Sequence, residues 1–529
     1  RSTTMSSSSS PSLQWLTLIA TIWLQTFNGA NTDFPVYSSE LKELKRVSQV
    51  GINFLAFASD AGKLFGWVSG VAAIYLPLWL IVVVGAALGL VGYGLQFLFL
   101  EHPNFSYSHI FLLTALAGNG ICWINTACYL ICIRNFSSHS RIAVGLSTSY
   151  VGLSAKVYTV LASAVFNGKS RHTAKQYLLL NAVVPVLVAA VVAPFIRVVL
   201  SQNAIRSSLV FVVMFVITFT TGISAVVGSI SSTSQGVLTR EYALSLGVLL
   251  ASPLVVPVTI KLREVMDEVW WNKKENRVHV LAGDDVEAGE GGREVVVEEL
   301  QVVKEQMMEG GEEESEEVGG LLILRKVDFW LYFFSYLFSA TLGLVFLNNL
   351  GQIAESRGLR PEETSTLVSL TTIKSHQKLA LTLLLLLRFD VYRRNCMISR
   401  PASMAALMAP MAAAFFMLVN PSRLCLYMST AVIGAFTGAI TSIAVSATTE
   451  LFGTKHFSVN HNIVVTNIPA GSFVFGYLAA VLYQRGATGG SNSCRGTACY
   501  DTTFVLWGAT CSVASILCTA LYIRRRRFC

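Results

Sequence analysis

The chain has 529 residues, 53% of them hydrophobic and 13% charged, with a formal net charge of +8 at pH 7 and a mean hydropathy of +0.56. Soluble domains carry about 25% charged residues, so this composition excludes a soluble globular protein and points to an all-α polytopic membrane protein. The basic residues sit in short loops and at Arg524–Arg527, where membrane orientation or lipid contact accounts for them, and no nucleic-acid partner is expected.

After a polar tail over 1–14, runs of about 20 mostly apolar residues, the length that spans a bilayer, recur along the chain. The first block predicts helices over Trp15–Tyr37, Gly51–Ala73, Pro77–Leu100, Ile110–Ile133, Ile142–Phe166, Tyr177–Leu200, Leu209–Ile230 and Leu238–Ile260. Trp15–Tyr37 is read as a retained helix rather than a cleaved signal, because it is long enough to span and carries polar residues. A second block, over 329–523, predicts Phe329–Asn348, a weaker Leu367–Leu387, Pro401–Val419, Leu424–Ala447, Asn460–Tyr483 and Phe504–Ile523, followed by a basic tail over 524–529.

Between the blocks lies a polar stretch, 261–328, with an acidic run at Glu309–Glu317. Such a segment cannot bury enough apolar surface to offset roughly 1–2 kcal/mol of backbone ordering per residue, so it is expected to be a disordered linker. The tetra-arginine tail and this linker are assigned to the cytoplasm, which places both termini on that side. The Asn104-Phe-Ser106 sequon then faces out and Asn135-Phe-Ser137 faces in. Among the ten cysteines no metal-ligand spacing occurs. Cys494 and Cys499 share one polar loop and could pair if it faces an oxidising lumen.

Polar side chains inside apolar helices are the candidate functional residues, because a charge at a helix centre costs about 2.5–3.5 kcal/mol. Asp60 and Lys63, three apart on one helical face, either neutralise each other or leave Asp60 free to carry a proton. Lys156 has no acidic partner in its own helix and suits an anionic substrate, unless an acid from another helix pairs with it or a shifted helix lets it snorkel to the interface. Gln25, Asn28 and Asn31 form one face of the first helix, as interhelical hydrogen-bond donors or cavity lining. His461 is either an interfacial histidine or a proton-coupling group. Glycines four apart, Gly62, Gly66 and Gly70 among them, allow close helix approach.

Several stretches carry a family resemblance: Trp23-Leu-Gln-Thr-Phe-Asn-Gly29, Gly92-Tyr-Gly94, Arg134-Asn-Phe, Val151-Gly-Leu-Ser154, Asp328-Phe-Trp330, Glu450-Leu-Phe-Gly-Thr-Lys-His-Phe457 and the loop Cys494-Arg-Gly-Thr-Ala-Cys499. With these the chain resembles the plant nodulin-like, Nuclear Fusion Defective 4-type proteins of the major facilitator superfamily. The resemblance implies two six-helix bundles around a central cavity, with about two extra helices, Leu209–Ile230 and Leu238–Ile260, before the linker. It also implies a gating loop after the second helix of the second bundle, for which Asp390, Arg393 and Arg394 are the candidates. The glycine-free stretch 359–433 departs from the family pattern there.

The expected function is secondary transport of a small organic solute, an organic anion or monocarboxylate by the Lys156 reading, through alternating access. Partners are the lipid bilayer, the solute and, as a coupling ion, the proton. No His-Glu-x-x-His, phosphate loop or metal cluster is visible, so neither an enzyme, a cofactor nor a metal is expected. The alternative is a non-transporting structural or signalling membrane protein of the same fold, acting in a membrane or nuclear-fusion process.

Overall fold

The computed structural model describes residues 11–102, 104–166, 173–199, 207–235, 240–281, 320–359, 367, 400–486 and 494–526. Its first bundle comprises α1 (Pro11–Asn28), α2 (Phe34–Lys45), α3 (Gln49–Gly62), α4 (Gly66–Tyr75), α5 (Leu78–Phe99), α6 (Tyr107–Asn135), α7 (Ser140–Ser149), α8 (Ser154–Phe166) and α9 (Thr173–Val192). These make six membrane segments, because three are broken helices. The expected single helix Trp15–Tyr37 is interrupted by a 3-10 turn at Ala30–Thr32, where Gly29 weakens the helix and Pro35 opens α2. Lys63–Phe65 likewise breaks Gly51–Ala73, between Gly62 and Gly66, and Tyr150–Leu153 breaks Ile142–Phe166.

The extra helices are α10 (Ser207–Gln235), α11 (Arg240–Ala251) and α12 (Val255–Leu281). They lie against α1 and α7/α8. Trp23 Nε1 donates to the Leu250 carbonyl at 2.9 Å, and Thr218 Oγ1 to the Tyr150 hydroxyl at 3.2 Å. Their outer residues, such as Leu244 and Val248, stay exposed, as lipid-facing side chains should. α12 corrects the linker boundary, because it runs on through Leu281. The stretch 261–281 mixes both charges among good helix formers, including a Lys261–Glu264 pair at 3.3 Å, whereas the acidic, glycine-rich part that follows, over 282–319, lies outside the described residues.

The second bundle contains α13 (Val327–Tyr336), a π-helical turn at Leu337–Thr341, α14 (Leu342–Ser356), α15 (Arg400–Met417), α16 (Arg423–Phe452), α17 (Phe457–Val465), α18 (Asn467–Gly486) and α19 (Asp501–Arg526). Of the expected Leu367–Leu387 helix only Leu367 is described, buried in the core of this bundle. Nine of the described helical segments are long and apolar enough to cross a membrane. The protein is therefore an integral multi-pass membrane protein, with one apolar core in the second bundle and two in the first, one of which also takes in Val445 and Phe457 of the second.

The two ends of the molecule differ in chemistry. At one end Ser12 donates from its backbone and hydroxyl to Glu264, Gly320 N donates to Asn460 Oδ1, and Asp328 is held by Arg524 at 2.7 Å and Arg525 at 3.1 Å. The start of α1, the middle of α12, the residues from Gly320 to Asp328 and the arginines that end α19 thus lie toward that end. At the other end a disulfide joins Cys494 and Cys499, with Cα atoms 5.9 Å apart. It is tied to the helices by Gly496 N donating to the Ser356 carbonyl at 2.8 Å.

Candidate functional site

The polar candidates gather mainly where the bundles meet, along a seam formed by α3/α4 of the first bundle and α17/α18 of the second. At mid-seam Lys63 Nζ donates to Asp60 Oδ1 at 2.6 Å, and Ser472 Oγ from α18 donates to Asp60 Oδ2, also at 2.6 Å. Both charged residues are buried. The carboxylate is therefore satisfied on both oxygens, once from its own helix and once from the opposite bundle. Mutual pairing is the arrangement that makes two buried charges tolerable in a low dielectric.

Toward the disulfide end, Asn53 Nδ2 donates to Asn349 Oδ1 at 3.2 Å, Gln352 Nε2 donates to Asn53 Oδ1, and the Tyr500 hydroxyl donates to Gln352 Oε1 at 2.9 Å. Phe54 and Phe57 of α3 rest on Phe473 of α18, with centroids 6.3 and 5.5 Å away. Toward the linker end, Ser458 Oγ donates to the Gly70 carbonyl at 3.0 Å, and Asn462 Nδ2 to Thr126 Oγ1 at 3.0 Å. Gly70 makes this approach possible: a Cβ there would lie 2.5 Å from the Ser458 carbonyl oxygen. The seam is thus closed at both ends and pinned in the middle.

His461 lies on α17 behind this contact. It stacks on Phe457 at 5.1 Å, meets Tyr129 of the first bundle edge-on at 5.5 Å, and has Nδ1 3.2 Å from Thr448 Oγ1. It is buried between the bundles rather than interfacial, because the aromatic rings on either side exclude water. Asn28 Nδ2 donates to Asn125 Oδ1 at 2.8 Å and to the Ile121 carbonyl at 3.1 Å, joining α1 to α6. Gln25 is fully buried with neither amide atom partnered, while Asn31 is half-buried at the helix break.

Lys156 stands apart from the seam. Its Nζ lies 5.3 Å from the centroid of Tyr242 on α11, a cation–π contact with one of the extra helices. Asp390, Arg393 and Arg394 lie outside the described residues. Asn135 is buried, and its amide donates to Thr17 Oγ1 at 2.8 Å and to the Arg197 carbonyl at 3.1 Å, so its sequon offers no acceptor for sugar. Asn104 is exposed.

Residues that sequence reasoning passed over complete the picture. Ser472, Asn53, Gln352, Ser458 and Thr126 are polar residues in apolar helices, which is the same signal that singled out Asn28, but their partners lie hundreds of positions away. Motif residues Asp328 and Glu450 prove to be ion-pair partners, Glu450 of Arg400 at 3.1 Å. Asp33, between the turn at Ala30–Thr32 and α2, is fully buried.

Comparison with known proteins supplies the remaining context. A family profile described as Nodulin-like matches residues 14–258, and one described as NFD4, C-terminal domain, matches 313–529. Protein NUCLEAR FUSION DEFECTIVE 4 of Arabidopsis thaliana is 35% identical over 535 aligned positions, covering 97% of this chain and 89% of that protein. Among solved structures, a bacterial homologue of the human drug peptide transporters PepT1 and PepT2 superposes with a TM-score of 0.53 at 12% identity, over 98% of this chain and 100% of that one. The major facilitator superfamily proton:xylose symporter XylE gives 0.55 at 10% identity, over 95% and 94%. At such identity these two share the fold with this chain.

Proposed function

Given that the chain belongs to the Nuclear Fusion Defective 4 family of nodulin-like proteins and has a major facilitator fold, we propose that it is a secondary transporter that moves a small organic solute by alternating access. The seam carries this reading. Its two ends are held by separate sets of neutral hydrogen bonds, each worth about 1 kcal/mol, so one set can open while the other stays closed. Rocking of that kind about a midplane site is how paired-bundle transporters expose a solute to each side in turn.

The organic-anion reading rests on Lys156. If this lysine attracts the solute, Lys156→Ala abolishes uptake of monocarboxylates while leaving surface abundance intact. The orientation that fits has the linker and both tails in the cytoplasm, since disulfides persist in oxidising compartments and Arg524–Arg526 lie at the opposite end from Cys494–Cys499. The test is uptake by proteoliposomes holding the purified full-length chain, offered labelled monocarboxylates, sugars and short peptides. Saturable uptake of one class that unlabelled solute competes away is the expected result. Absence of any uptake by correctly folded protein would favour a second reading, suggested by the name of the Arabidopsis relative: a structural or signalling role in a membrane or nuclear-fusion process. Under that reading, variants locked at the seam still support the process.

A further inference from the structure

We propose that Asp33 is a proton-binding site, a neutral carboxylic acid sealed inside the first bundle that takes up and releases its proton as the bundles rock. The coupling half of this statement rests on the transporter reading, and the protonation half does not.

Asp33 differs from the other paired acids described above. Asp60 has Lys63 and Ser472, Glu450 has Arg400, and Asp328 has Arg524 and Arg525. Asp33 Oδ1 accepts a hydrogen bond from Asn181 Nδ2 of α9 at 3.2 Å, the residue's own backbone N–H lies beside the carboxyl group, and Oδ2 has no hydrogen-bond partner although it is fully buried. Four phenols lie near enough to feel its charge: Tyr37 of α2, Tyr93 of α5, Tyr158 of α8 and Tyr177 of α9. Among the described residues no lysine, arginine or histidine forms an ion pair with it. Two of the phenol hydroxyls are committed elsewhere, Tyr158 to the Phe27 carbonyl at 2.9 Å and Tyr177 to Thr159 at 3.2 Å.

An ionised carboxylate so enclosed, with one oxygen bare and no cation, is far costlier than the neutral acid. Binding one proton to one carboxylate oxygen removes that charge without any other reactant. A metal cation would require several further oxygen ligands, and the hydroxyls that could supply them are in part already spent. The position also suits release. Asp33 follows directly on the break between α1 and α2, and the preceding Gly29 packs on Ser154, at the break between α7 and α8. Two broken helices touching at one level give the first bundle a place to flex and admit water.

Infrared difference spectra of the full-length chain in proteoliposomes test the site with the proton itself as probe. A carboxylic-acid C=O band at neutral pH that is lost in Asp33→Asn is expected. Absence of the band from the wild type, its survival in Asp33→Asn, or its appearance only after sodium is withdrawn would overturn the proposal. If Asp33→Asn fails to fold, Asn181→Ala removes the hydrogen bond but keeps the acid, and the band must then shift; an unchanged band overturns the assignment. For a solute identified by the uptake screen, Asp33→Asn is expected to keep exchange between equal pools but to lose accumulation driven by a pH gradient, and retained accumulation overturns the coupling role. If no solute is moved at all, the transporter reading fails while the infrared result still decides the proton site.

Discussion

Lys63 holds its charge in the seam only because Asp60 lies one helical turn away. Asp60→Asn removes the carboxylate and leaves a buried ammonium, which costs about 3–5 kcal/mol when a buried pair is broken. The expected outcome is a sharp loss of thermal stability in fluorescence-detected size exclusion, matched by Lys63→Met and largely recovered in the double variant. Ser472→Ala removes one hydrogen bond to a charged group, worth about 1.5–3 kcal/mol, and is expected to lower the midpoint less than Asp60→Asn does. The spacing of Asp60 and Lys63 made their pairing readable in the sequence. Ser472 was not readable as the third member, because 412 positions separate it from Asp60 and only the meeting of two bundles brings them together. Lys156 illustrates the converse: its own helix offers no acid, and its neighbour proves to be an aromatic ring on an added helix.

At the scale of the element, α4 and α17 approach so closely that backbone nearly touches backbone. Gly70→Val is therefore expected to force the linker end of the seam apart and abolish uptake without preventing expression. Gly89→Ala is the control: a Cβ at Gly89 meets nothing within 4 Å, and alanine favours the helix by roughly 1 kcal/mol over glycine, so uptake and melting point should hold or rise slightly. The glycine stripe at Gly62, Gly66 and Gly70 was legible as a close-packing face. Which partner each glycine serves was not: Gly62 approaches α6 within its own bundle, Gly66 lies between Cys122 of α6 and Asn462 of α17, and Gly70 approaches α17 of the other bundle. Helix breaks were missed for a related reason. Hydropathy averages over a window, and it runs straight through a 3-10 turn whose side chains remain apolar.

For the whole molecule the question is whether closure alternates between the two ends. In a cysteine-depleted chain that retains Cys494 and Cys499, cysteines at positions 53 and 349 joined by a short thiol cross-linker should trap one end shut. Cysteines at 70 and 458 should trap the other. Each cross-link is expected to stop uptake and a reductant-cleavable linker to restore it; uptake that continues through either cross-link would exclude rocking at this seam.

Composition and apolar run lengths by themselves determined that this is a multi-pass helical membrane protein in two blocks, because burying backbone in lipid leaves few alternatives to long apolar helices. They also marked the polar residues that such helices tolerate only with compensation. Tertiary structure alone decided how each is compensated. Asp60 is shared across the seam, His461 is enclosed by aromatic rings from both bundles, Lys156 is turned toward an added helix, and Asp33 is left with one bare oxygen. The physical reason is that a buried polar group is satisfied by whatever lies within about 3 Å of it, and that distance is set by helix packing rather than by position along the chain.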